Sequence, residues 1–127
     1  MKIVVLIARI LLGLGFLVFG LNAFFHFIPG STMIPPGIAG QFSQAMAESH
    51  YDRAVAVFEV VAGVLLLINL YVPIALVLLG PVLVNILLFH LLMMPATIPP
   101  GIVFTILWLI VFSAHRSAFA GIFAAKG

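Results

Sequence analysis

Cysteine is absent from this 127-residue chain, which excludes thiol–disulfide exchange, iron–sulfur clusters and thiolate-bound metals from its own chemistry. Charge is scarce too: 6% of the residues are Asp, Glu, Lys or Arg, where soluble domains carry roughly a quarter. The five cations, Lys2, Arg9, Arg53, Arg116 and Lys126, are scattered. They form no basic stripe, so the net charge of +2 does not make a nucleic-acid-binding surface. No linker or low-complexity stretch divides the sequence, and residues 1–127 read as one domain.

What remains is apolar. Hydrophobic residues make up 65% of the chain and the mean hydropathy is +1.41, a surface whose natural solvent is lipid. Four stretches meet the need of a membrane helix for about 20 predominantly apolar residues: approximately 3–28, 52–71, 73–94 and 101–119. The first carries Arg9, runs past Phe25 and has no small-x-small cleavage site, so it reads as a retained helix, not a signal peptide. Expected breaks are Pro29-Gly30, INLYVP and MMPATIPPG, with Thr97 as a cap and Pro99-Pro100 opening the last helix. Ser49-His50-Tyr51-Asp52 fits a capping box before the second span.

The outer loop, 29–51, repeats Ile38, Phe42 and Met46 every four residues. This predicts a short helix lying in the interface or capping the bundle, with an ordinary surface loop as the alternative. The expected fold is therefore all-α: a membrane-embedded antiparallel four-helix bundle with a short interfacial helix in the first outer loop. An even number of spans puts both termini on the side of Lys2, Arg9, Arg116 and Lys126. The positive-inside rule makes that side cytoplasmic, in the cell (inner) membrane, and the long loop faces outward.

Ionisable groups within a bilayer usually face the bundle interior or a water-filled cavity. At 1.5 Å per residue, Glu59 lies about 12 Å below the outer end of its span, Asn85 about 13 Å and Asn22 about 9 Å. Thr105 and Trp108 fall in the same outer half, and His26 and His90 lie nearer the surface. Gly63 and Ala62 share the face of Glu59 and let a neighbouring helix approach. Pro81, after Gly80, is expected to kink the third span and free a carbonyl near Val77. Desolvation favours a neutral Glu59 carboxyl, which suits Asn22 or Asn85 as hydrogen-bond partner. A polar clamp between helices is the competing reading, worth about 0.6 kcal/mol per interhelical hydrogen bond. Two imidazoles, His26 and His90, are also haem ligands by type, although interfacial side chains explain them more simply. Arg9 lies in the inner half and is expected to snorkel to the cytoplasmic interface, while His115 and Arg116 meet headgroups.

Beyond these residue-level readings, the chain resembles the DoxX family of small four-helix membrane proteins. The matching stretches are ARILLGLGFLVFGLNAF, FEVVAGVLLLINLYVPIALVLLGP and VNILLFHLLM. Arg9, Asn22, Glu59, Gly63, Asn85 and His90 are the family-like positions. The resemblance implies a membrane redox accessory subunit, with a quinone or other small lipophilic ligand and a redox partner protein. Haem ranks behind quinone, and the lipid bilayer is the surrounding partner. Candidate ligand or proton-site residues are Asn22, Glu59, Asn85, His90 and His26, with no catalytic residue or metal site assigned. Two alternatives stand beside it: a structural subunit with no chemistry of its own, and a small proton-coupled transporter. The transporter reading is the weaker because small multidrug exporters carry their glutamate in the first helix.

Overall fold

A computed structural model describes residues 2–30 and 33–125. Lys126, one of the cations counted for orientation, lies outside the described residues. Among those residues the protein is all-α. The α-helices are α1 (Lys2–Phe25), α2 (Gly37–Glu48), α3 (Tyr51–Ile68), α4 (Val72–Met93) and α5 (Pro99–Ala114). Short 3-10 helices follow α4 at Pro95–Thr97 and α5 at Arg116–Phe123.

Several boundaries differ from those the sequence suggests, each for a local reason. The first helix stops at Phe25, short of Pro29, because His26 adopts a left-handed backbone with φ 51°. The Asn22 side-chain oxygen then accepts the Ile28 amide at 2.8 Å, closing the helix end. The last span ends at Ala114, and the chain bends by 90° into Arg116–Phe123, where Phe119 is buried against Phe112. Pro99 and Pro100 do open α5, but Thr97 turns its hydroxyl back to the Met94 carbonyl and does not cap it. No reciprocal capping box forms at α3: the Ser49 amide closes α2 on Ala45, and Asp52 accepts the Arg53 amide.

Two helices, α1 and α4, are long and apolar enough to cross a membrane. A third span is reached only if α5 and the bent Arg116–Phe123 segment count together. The expectation of four clear spans is thus met for two helices by length and composition. α3 holds Asp52, Arg53 and Glu59 within 18 residues, and α5 alone has only 16.

α1 packs on α3, α3 on α4, α4 on α5, and α5 returns to α1. Small residues permit the first of these contacts. A Cβ on Gly63 would stand 2.7 Å from the Gly13 carbonyl and 2.8 Å from the Leu17 nitrogen, so the two backbones touch where side chains are missing. Gly20 lies likewise against Ala56, Glu59 and Val60. The pairing runs antiparallel, with residue 13 near 63–66 and residue 20 near 56–60.

Arg9 departs from the expected snorkelling. Its guanidinium donates to the carbonyls of Leu66 and Leu67 at the C-terminal end of α3. Those carbonyls carry the negative end of the helix dipole, and that of Leu66 also accepts the Asn69 amide at 3.3 Å. A cation there ties α1 to α3 instead of reaching for headgroups.

Candidate functional site

Toward the end of the molecule that α2 covers, called outer after the expected topology, the helices part. α2 crosses the opening between α3 and α4, and the three enclose a groove of about 1090 Å³. Glu59 enters from α3, Asn85 and His90 from α4, and His26 from the segment after α1. Four of the five candidate residues thus line one space. Asn22 does not line it, because its amide oxygen is engaged in ending α1.

Each wall has a sequence cause. Glu59 is carried on the face of α3 that Gly20 allows α1 to press, so its stem is fixed at the α1–α3 contact. α4 runs continuously through Pro81. The ring cannot donate to Val77, and both residues line the groove. Asn85 donates its side-chain amide to the Pro81 carbonyl at 2.9 Å, back along its own helix. His90 Nδ1–H donates to the Ile86 carbonyl at 2.8 Å, which leaves Nε2 as an acceptor in the neutral ring. Phe89 stands edge-on to His90, with ring centroids 5.2 Å apart, and meets Phe42 of α2 at 5.4 Å.

The expected hydrogen bond from Glu59 to Asn22 or Asn85 is not made among the described residues. Both asparagines serve the backbone of their own segments instead. The half-buried Glu59 carboxyl faces the groove without a hydrogen-bond partner in the described structure. Depth was legible from residue counting; rotation and side-chain competition were not.

Two polar side chains of α5 are absorbed by helix packing. Thr105 donates its hydroxyl to the Gly101 carbonyl at 2.7 Å. Trp108 donates its indole N–H across to Leu76 at 3.0 Å, tying α5 to α4, and stacks on Phe112. What the sequence reading missed is the contribution of α2: Phe42, Ser43, Gln44 and Met46 complete the groove. The four-residue repeat of Phe42 and Met46 was the signal for that face.

The DoxX family model matches residues 4–91, a stretch that contains all five candidate residues and α1 to most of α4. No curated protein and no solved structure matches the chain. The chain belongs to the DoxX family.

Proposed function

We propose that this DoxX-family chain is a four-span inner-membrane protein whose outer groove holds a small lipophilic molecule of the quinone class, as an accessory subunit of a membrane redox system. The observation that carries the reading is the unpartnered Glu59 carboxyl in a mostly apolar groove of about 1090 Å³. That volume suits a ring-sized head group with part of its tail. Glu59 exchanges a proton with the head group, Asn85 and His90 orient it, and His26 stands at the entrance. Phe42, Phe89 and Met46 supply the apolar body of the site.

Topology supports the assignment. Lys2, Arg9 and Arg116 lie at the end with the α3–α4 turn, and Glu48, Asp52 and Arg53 lie at the other. The cation-rich end is cytoplasmic by the positive-inside rule, and the groove opens outward.

Mass spectrometry of lipophilic molecules co-purifying with the wild type and with Glu59→Gln tests this function. A stoichiometric quinone-like species in the wild type, lost in a folded variant, is the expected result. Equal retention by both proteins counts against a role for Glu59. An empty wild type favours a structural subunit in which Gly63, Arg9 and Trp108 hold the helices and the groove receives a partner.

A further inference from the structure

The hydrogen-bonding groups on the wall of the groove are unequal in kind. Asn85 spends an amide hydrogen on Pro81, and its side-chain oxygen has no partner among the described residues. His90 spends its Nδ1 hydrogen on Ile86, so the other ring nitrogen offers a lone pair. Glu59 offers carboxyl oxygens that no protein donor occupies among the described residues. Glu59 and Asn85 both lie eight residues from the outer ends of α3 and α4, about 12 Å along the helix. They meet a ligand at one level, and His90 stands about one turn nearer the rim.

Charge points the same way. No lysine or arginine lines the groove among the described residues, whereas the carboxyls of Glu59 and Asp52 do. An anionic head group would meet acceptors and carboxyls with no cation to offset its desolvation. A ring bearing only carbonyl acceptors can meet the second Asn85 amide hydrogen, but it leaves the His90 nitrogen and the Asn85 oxygen without a donor.

We infer that the groove selects an uncharged aromatic head group presenting hydroxyl donors, a hydroquinone or phenol on an apolar tail, over the oxidised, carbonyl-only form. This rests on the ligand-binding reading above and narrows it: Glu59 and Asn85 accept from the head-group hydroxyls, and His90 Nε2 accepts near the rim. A matched hydroxyl gains a hydrogen bond where a carbonyl leaves two acceptors facing each other. One such exchange is worth roughly tenfold in affinity.

The test is anaerobic equilibrium binding to the full-length protein in lipid nanodiscs. Its three probes share a decyl tail: a benzohydroquinone, its dimethyl ether and the corresponding benzoquinone. The hydroquinone is expected to bind about tenfold more tightly than either of the other two. Glu59→Gln replaces one carboxyl oxygen with an amide nitrogen that can only donate, and should narrow that gap to about twofold. His90→Phe, away from the α1–α3 contact, should narrow it less and serves as the second variant if Glu59→Gln does not fold. Equal affinity for all three probes, or tighter binding of the quinone, overturns the donor preference while leaving a lipophile site in place. No saturable binding of any probe overturns the ligand reading and the preference with it.

Discussion

The inner and outer halves of this molecule use the same helices in opposite ways. In the inner half, Leu12, Leu66, Leu76, Leu79 and Val111 are fully buried, and Arg9 bonds the end of α3. In the outer half, α4 has no buried residue beyond Leu83, and α2 covers a groove in place of a core. The buried residues of α4 all fall in its first twelve positions. Close packing of α4 is thus concentrated at its inner end, and the groove opens beside its outer end, where α1 and α3 stay in contact through Gly20 and Ala56. Such a division suits a site that must be entered, because ligand-binding elements are drawn from the less stable parts of a protein.

Substitutions at the tight contacts should produce the largest effects. Gly63→Ala places a methyl group against the backbone of Gly13 and Leu17, and should lower stability by about 1–3 kcal/mol. Thermal unfolding in detergent measures it. The contrast is Gly80→Ala, whose added methyl would meet Trp108 at an ordinary 3.7 Å, and which should be close to neutral. If the two variants behave alike, the inner packing is not the organising contact.

Next in size is Arg9→Ala, which strips the donor from the Leu66 and Leu67 carbonyls and should cost about 1–2 kcal/mol. Arg9→Lys should recover part of that loss in the same unfolding assay, since it keeps the charge but not the planar fork. An unchanged melting temperature in Arg9→Ala would return Arg9 to the headgroup role.

Smaller again is Phe42→Ala on α2. It removes one side of the Phe42–Phe89 contact and should cost about 1 kcal/mol or less, with faster release of any bound lipophile. Smallest in stability is Glu59→Gln, expected within about 0.5 kcal/mol of the wild type because no protein hydrogen bond to the carboxyl is lost. Its effect should appear in ligand retention instead. A large stability loss there would make Glu59 polar glue.

Hydrophobic runs and proline–glycine breaks made the all-α character and most helix boundaries readable from sequence. Pro99-Pro100 opens α5 as its position at a helix start implies, and Gly63 packs where a small residue beside Glu59 suggested. Residue counting also brought Glu59, Asn85, His90 and His26 to the outer half, and all four line the groove. The failures share a cause: a side chain's choice among nearby carbonyls and amides is not periodic. Arg9 found the end of another helix 57 residues away, and Asn22 found the Ile28 amide instead of the groove. The 90° bend after Ala114 was equally missed: the sequence predicts a span running to residue 119 through His115, Arg116 and Ser117, whereas Phe119 packs back on Phe112.

The most direct test of the outer groove as the ligand site is photo-crosslinking in nanodiscs with a decyl-tailed benzohydroquinone carrying a diazirine beside the ring, followed by peptide mapping. The account predicts adducts on α2 and the outer half of α4, near Met46, Val82 and Phe89, competed away by the unlabelled hydroquinone. Adducts confined to the exposed apolar faces of α1 and the inner half of α4, and not competed, would contradict it.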